Sequence, residues 1–154
     1  MLPIKKGAPP QALTDAIHRI KSTPDTTLSW QQLDSGERAG VCGALIQEQG
    51  GLCAYCMRRI AVNNAHVEHI KPQSAGFGHN DPDSVDYANL LAVCDGFEGS
   101  QAGLTCDRAR GDRPLTVNPT IPGTLEGIRY KRDGTIYSDD SSIDLLRSAA
   151  CKSW

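Results

Sequence analysis

The sequence predicts a single α+β domain, with helices toward the N-terminal end, a cysteine-rich centre of short strands and loops, and a hairpin plus helix toward the C-terminal end. Three observations predict it. Apolar residues recur at helical spacing twice before Gly50-Gly51. Short β-prone runs then alternate with stretches rich in Gly, Pro, Ser and Asn. Finally, Cys53, Cys56, Cys94 and Cys106 bracket the centre of the chain. At 154 residues the chain has the length of one ordinary domain, read here as three parts, 1–51, 52–113 and 114–154.

Residues 1–10 combine prolines, a glycine and lysines and read as an extended or mobile lead-in. Over 11–21, Leu13, Ile17 and Ile20 share a helical face, and Ser22-Thr23-Pro24-Asp25 breaks the run. Trp30 and Leu33 fall in a less regular stretch. The segment 37–49 reads as a second helix with Val41, Leu45 and Ile46 on its apolar side, stopped by Gly50-Gly51 as a C-terminal cap. Cys42 lies beside Val41 and reads as a small core residue. Next, 57–62 and 66–70 read as short strands joined at Asn63-Asn64, a candidate hairpin. The segments 71–82 and 95–105 read as loops, and 85–93 is compatible with either a strand or a short helix. Residues 106–110 have room for about a turn and a half of helix before Gly111 and Pro114. Farther on, 128–131 and 135–138 flank Asp133-Gly134, a type I′ hairpin signal. The last element, 143–150, reads as a helix capped by Ser141 or Ser142.

Two Phe and two Trp leave the core to Leu, Ile, Val and Ala, and a small fold of that kind gains from a metal staple. The apolar runs are far shorter than a membrane span, and the N-terminus lacks the apolar core of a secretory signal, so a cytoplasmic location is expected. In a reducing compartment the six cysteines point to metal thiolates rather than disulfides. Zinc takes four thiolates in a tetrahedron, and Cys-x-x-Cys delivers two of them from one tight turn. Cys53, Cys56, Cys94 and Cys106 are the expected structural zinc set, with Cys42 and Cys151 left over. The formal net charge of −2 argues against a free-standing, high-affinity nucleic-acid binder.

In a strand through His66-Val67-Glu68-His69-Ile70, alternation puts His66 and Glu68 on one face, and His69 takes the other or turns off the strand end. A carboxylate is a hard ligand suited to magnesium or manganese, whereas a neutral imidazole near pH 7 is suited to taking a proton from water. In isolation such a pair would read as an exposed strand end. His66 reads as a solvated strand residue, with an auxiliary ligand role or a phosphate contact as alternatives, and His18 and His79 read as surface residues. Lys71, Arg108, Arg110 and Arg113 lie beside these residues, and Arg108 and Arg110 are the candidates for phosphate contact.

The run LCAYC…HVEHIKPQS…YANLLAVC…TCDRARGDRP resembles the HNH endonucleases of the ββα-metal, or His-Me finger, class over residues 52–113. The resemblance implies a small ββα-metal core. It makes His69 the general base, Glu68 the first metal ligand, and Asp107, at the start of the final short helix, the second ligand of a catalytic Mg²⁺ or Mn²⁺. It makes Asn89 the residue whose amide hydrogen-bonds across the loop and fixes His69. The chain departs from the pattern twice, with Glu68 in place of the commoner Asp and Asp107 in place of Asn or His. Two carboxylates make an anionic site that favours hard Mg²⁺ or Mn²⁺ over Zn²⁺.

MLPIKKGAPP, IQEQGGLCAYC, TCDRARGD and GIRYKRDGTIYSDD are more particular, and together they are similar to the small PtuB-type HNH subunit of Septu-type and retron-associated anti-phage systems. That resemblance implies DNA as substrate, a PtuA-like ATPase as partner, and a role in defence. A weak intrinsic grip on DNA, left to the complex to supplement, suits the net charge. A longer helical region would be expected after Ile143, beside which SAACKSW is abrupt. A non-catalytic, zinc-stapled module that binds nucleic acid or protein is the alternative from another class, and RNA is an alternative substrate.

Overall fold

The structure, a computed structural model, describes residues 1–73, 82–96, 106–132 and 136–143. Helix α1 (Gln11–Ser22) follows an extended Pro10, and Leu13, Ala16 and Ile20 form its buried stripe. Helix α2 (Ser35–Glu48) begins earlier than the apolar spacing predicts, because Asp34 caps it. Asp34 Oδ1 accepts from the Glu37 amide at 2.8 Å, and Glu37 Oε2 accepts from the Asp34 amide at 2.8 Å. A cap of this reciprocal kind contributes about 1 kcal/mol. At the other end Gly51 donates to the Ile46 carbonyl at 2.8 Å and Gly50 to Gln47 at 3.1 Å, the Schellman pattern. Both glycines have positive φ, which the pattern requires of Gly50, the first residue past the C-cap. The two helices cross at Gly40, where a Cβ would stand 2.9 Å from the Ala12 Cβ. Cys42 is buried in the core, as its position on α2 predicts.

The expected hairpin of 57–62 with 66–70 does not form. Strand β1 (Ala65–His69) pairs instead with β2 (Leu90–Cys94), antiparallel, from Ala65 opposite Cys94 to His69 opposite Leu90. Val62–Asn64 is a 3-10 turn, and the residues before it fold back locally: Leu52 bridges Arg59, and the Cys53 amide donates to the Arg58 carbonyl at 2.8 Å. The physical reason lies in β2. Leu90-Leu91-Ala92-Val93-Cys94 is apolar on both faces, and every residue of it is buried, with α2 and α3 (Cys106–Arg110) both packed against it. A run of that kind is the better partner for β1, because fully burying a side chain such as Leu90 or Leu91 contributes about 1.5–3 kcal/mol. The other edge of β2 is covered as well. The Gln49 side chain exchanges two 2.8 Å hydrogen bonds with the Ala92 amide and carbonyl, and the Ala54 amide donates to the same carbonyl at 3.1 Å.

Two 3-10 turns, Pro82–Val85 and Tyr87–Asn89, lead into β2. The lead-in over residues 1–10, expected to be extended or mobile, is extended but anchored. Ile4 is buried and its amide donates to the Pro119 carbonyl at 2.8 Å. Lys6 Nζ reaches Glu48 Oε2 at 2.6 Å and the Leu90 carbonyl at 3.0 Å, and lies 3.9 Å from the Tyr87 ring centroid. A second small hairpin pairs β3 (Arg129–Tyr130) with β4 (Ile136–Tyr137). Its expected turn at Asp133-Gly134, the 143–150 helix beyond Ile143, His79 and Cys151 lie outside the described residues. Among the described residues no helix is long and apolar enough to cross a membrane.

Candidate active site

The four expected cysteines come together. Residues 53 and 56 sit on the turn closed by the Leu52–Arg59 bridge, with Met57 in the left-handed region at φ 64°. Cys94 ends β2, and Cys106 opens α3 with φ 51°. The sulfurs stand 3.9 Å apart for Cys53–Cys106, 3.8 Å for Cys56–Cys94 and 3.5 Å for Cys94–Cys106. All four lie within 4.8 Å of one another and are buried. These separations are far beyond an S–S bond of about 2.05 Å. They match instead the edge of a thiolate tetrahedron, about 3.8 Å for metal–sulfur bonds of about 2.3 Å. The neighbouring sulfurs of Cys106, Cys56 and Cys94 hold the Cys53 thiol far below its ordinary range, toward the thiolate that binds metals. The chain between Cys94 and Cys106 is therefore long enough to return the fourth sulfur to the cluster.

Next to this cluster the acidic residues of β1 and α3 meet. Asp107 follows Cys106 in the first turn of α3, and its Oδ2 lies 2.6 Å from His66 Nε2. His66, expected to be a solvated strand residue, is thus paired with a carboxylate. Glu68, two residues along the same face of β1, is 9% exposed. Its Oε1 accepts from the Tyr55 hydroxyl at 3.1 Å and from Arg110 Nη1. Burial and the nearby Asp107 carboxylate push the Glu68 pKa up to about 7, while Arg110 pulls the other way. Asp107 is moved in the opposite direction, below its usual range, chiefly by the hydrogen bond from His66. Two carboxylates pressed together so that one holds its proton make a donor set that a hard cation would relieve.

Arg110 corrects an expectation. Its side chain is 1% exposed, and its hydrogen bonds go to protein groups rather than outward. It donates instead to Glu68, to the His69 carbonyl at 2.8 Å and to the Ile70 carbonyl at 2.5 Å, binding α3 to the end of β1. The sequence offers no signal for this, since a surface arginine and a buried one are spelled alike. Arg108 is exposed, with Nε 2.6 Å from the Asp95 carbonyl.

His69 is the last residue of β1 and is buried beside Glu68. Its Nε2 lies 2.9 Å from the Ser84 carbonyl, which can only accept, so Nε2 carries the proton and Nδ1 keeps the lone pair. The Gln73 amide nitrogen lies along the ring edge between the two nitrogens, 2.9 Å from Nδ1 and 2.8 Å from Nε2, and only Nδ1 can accept from it when Nε2 is protonated. The Trp30 ring meets the imidazole edge-on, centroids 5.5 Å apart and planes at 81°. Burial lowers the His69 pKa, which favours the neutral ring that accepts a proton. Asn89 spans the intervening loop without touching that ring. Its Oδ1 accepts from the Lys71 amide at 2.8 Å, its Nδ2 donates to the Asp83 carbonyl at 3.3 Å, and its own carbonyl accepts from the Ile70 amide at 2.8 Å. Glu68, His69 and Asp107 line one cavity of about 210 Å³ with Pro72, Gln73 and Arg110. The sequence drew attention to the first three and to Asn89; Tyr55, Ser84, Gln73 and Trp30 carried no motif that would have singled them out.

No family model matches the chain. It is 28% identical over 160 aligned residues to a retron Vc95 protein of Vibrio cholerae serotype O1 biovar El Tor whose name assigns it to the HNH endonucleases. The match covers 95% of this chain and 75% of that protein. A solved structure, the Type II-C Cas9 enzyme from Actinomyces naeslundii, aligns with 69% of this chain at 24% identity and a TM-score of 0.39, and the chain spans 9% of its length. That score is too low to equate the two folds. The chain is thus similar to the retron HNH protein along almost its whole length, and it carries a Glu-His pair at the end of the first strand of a β1-β2-α3 arrangement.

Proposed function

We propose that the protein is a metal-dependent endonuclease that hydrolyses DNA phosphodiester bonds. The observation that carries this reading is the single cavity lined by Glu68, His69 and Asp107. In it, His69 is the general base: Nδ1 takes a proton from the attacking water while the Ser84 carbonyl holds the tautomer, an effect typically worth about 10²–10⁴-fold. Glu68 and Asp107 would hold Mg²⁺ or Mn²⁺, for which carboxylate oxygens are apt ligands. The bound ion supplies neutralisation of charge on the phosphoryl oxygens and stabilisation of the departing oxygen. Arg110 and Tyr55 hold Glu68 through Oε1, and His66 steadies Asp107, so both carboxylates that would hold the ion are kept in place. Asn89 ties the two ends of the loop that follows His69. Cys53, Cys56, Cys94 and Cys106 hold a structural Zn²⁺, favoured by four soft thiolates at tetrahedral separations.

The PtuB-type resemblance and the retron named in the relative support a nuclease subunit of an anti-phage system, delivered to DNA by a PtuA-like ATPase. The net charge of −2 suits a subunit that does not grip DNA unaided. Incubation of the purified chain, with and without such an ATPase, on plasmid DNA tests the reading. Nicking is expected with Mg²⁺ or Mn²⁺ and is expected to fall by at least about 100-fold in His69→Ala. Cleavage that survives His69→Ala removes His69 as base. A chain that carries zinc and binds its partner but never cuts supports the non-catalytic module, and parallel RNA substrates settle the choice of nucleic acid.

A further inference from the structure

The N-terminal part of the chain reaches the imidazole through one turn. Trp30–Gln32 is a 3-10 turn between α1 and α2, outside the cysteine-bracketed centre. Three of the groups around His69 are tied to it. The Trp30 ring is one of them, edge-on at 5.5 Å between centroids. Ser84, whose carbonyl accepts from His69 Nε2, takes the Trp30 amide on its own hydroxyl at 2.9 Å. Gln73, whose amide lies beside the imidazole, accepts on its Oε1 from Gln31 Nε2 at 2.7 Å. The turn is fastened in its own right by Arg38 of α2. The guanidinium stands 5.9 Å from the Trp30 ring centroid and donates to the Trp30 carbonyl at 3.3 Å and the Gln31 carbonyl at 2.9 Å.

Trp30 is not simply a core filler. It is only partly buried, and it borders an open cleft of about 270 Å³ shared with Arg38, Cys42, Val62 and Val67. Trp30 packs against the edge of the core and, at the rim of this cleft, is also placed to restrict the imidazole it touches. We propose that Trp30 is a positioning residue for His69: the Trp30-Gln31 turn clamps the imidazole on one side and steadies the Ser84 carbonyl that fixes its tautomer. The N-terminal part thereby belongs to the active site without touching the substrate. This inference rests on the reading of His69 as general base.

The reason a clamp matters is geometric. A general base must hold its lone pair within hydrogen-bond reach of one water, and a misplacement of about 1 Å in such a group costs up to about 100-fold. Removing the Trp30 ring frees the imidazole to turn about χ2 and to leave the Ser84 carbonyl. Binding of DNA is expected to be unaffected, since the role given to Trp30 acts through His69.

The test compares Trp30→Ala, Trp30→Phe and His69→Ala in the full, zinc-loaded chain. Steady-state plasmid nicking with Mn²⁺ is read as kcat and KM, and ¹⁵N NMR follows the His69 Nε2–H signal that the Ser84 carbonyl protects from exchange. Trp30→Ala is expected to lose about 10- to 100-fold in kcat with KM within about twofold, and to lose the Nε2–H signal. Trp30→Phe, which keeps an aromatic ring at the site, is expected to recover most of both. Where Trp30→Ala does not fold, Trp30→Leu keeps apolar bulk without a ring and carries the same expectation. A folded Trp30→Ala or Trp30→Leu protein with wild-type kcat overturns the clamp while His69→Ala, still inactive, leaves the base intact. Cleavage by His69→Ala overturns the base and the clamp together.

Discussion

Glu68 gives the site a measurable proton. Its pKa is raised from 4.5 to about 7 by burial first and by the Asp107 carboxylate second. The folded state therefore binds a proton that the unfolded state has released between those two pH values, so the metal-free protein loses stability as pH climbs from about 4.5 to about 7. At 1.36 kcal/mol per pH unit that loss amounts to about 3 kcal/mol. A divalent cation held by Glu68 reverses it, because the ion requires the carboxylate and expels the proton. With a pKa of about 7, cation binding should release about one proton at pH 6, about half at pH 7 and almost none at pH 8. His66, whose pKa is raised by Asp107, adds to the release only if the ion takes Asp107 away from it. Glu68→Gln separates the two contributions. Calorimetric titration of Mn²⁺ into zinc-loaded protein, in buffers of different ionisation enthalpy, counts the protons directly. The wild type should show the pH-graded release, and Glu68→Gln should lose it along with most of its affinity for the ion. Equal release by both proteins across pH 6 to 8 would refute Glu68 as a ligand.

Three further outcomes are expected. Arg110→Met should destabilise the protein by about 3–5 kcal/mol in urea unfolding above pH 7, because it leaves the buried Glu68 carboxyl to take up a proton and the His69 and Ile70 carbonyls without their shared donor. Adding Glu68→Gln to that background should restore part of the loss, and a single-variant cost below about 1 kcal/mol would contradict the role given to Arg110. Cys106→Ser should lower zinc content by elemental analysis and depress both thermal stability and cleavage, whereas loss of stability with full activity in the surviving folded fraction would uncouple the two sites. Gly40→Val should cost about 1–3 kcal/mol in thermal unfolding by driving α1 and α2 apart at the 2.9 Å approach to Ala12, with cleavage at low temperature unchanged.

The legible parts of the fold were those specified over a few residues. The buried stripe of α1 and the Gly50-Gly51 stop of α2 follow from patterns a few residues long, whereas the expected alternation along β1 is lost at its end, where Glu68 and His69 are both buried. Strand pairing is not of this kind. The 57–62 segment is β-prone and adjacent to β1, yet it serves to close the turn that carries Cys53 and Cys56, and β1 goes to a run more than twenty residues away. What decides the pairing is where Leu90–Cys94 can bury both faces, and that depends on α2 and α3 being in place. The candidate site divides in the same way. Cys53-x-x-Cys56 and Glu68-His69 stand out as neighbours in the chain, whereas the partners that orient them are scattered. Arg110 reads in the sequence as a candidate phosphate contact because nothing nearby announces that Glu68, Tyr55 and two carbonyls converge on it.

The five residues of α3 have to be positioned from outside, because an isolated helix of that length does not hold together in water. Its first residue, Cys106, has φ 51°, a left-handed backbone that costs about 1–3 kcal/mol in a residue with a side chain and persists only under constraint. Its last, Arg110, is fixed by the ends of β1 through Glu68, His69 and Ile70. Asp107 lies between these two anchors and points at His66. In the proposed reading the zinc ion acts on the first anchor and the buried ion pair on the second, so neither metal function is independent of the other. Structural zinc sites in small domains contribute about 10–16 kcal/mol of apparent binding energy, ample to impose the strained Cys106 backbone. A site built this way keeps its second carboxylate in register without a long helix or a large aromatic core behind it.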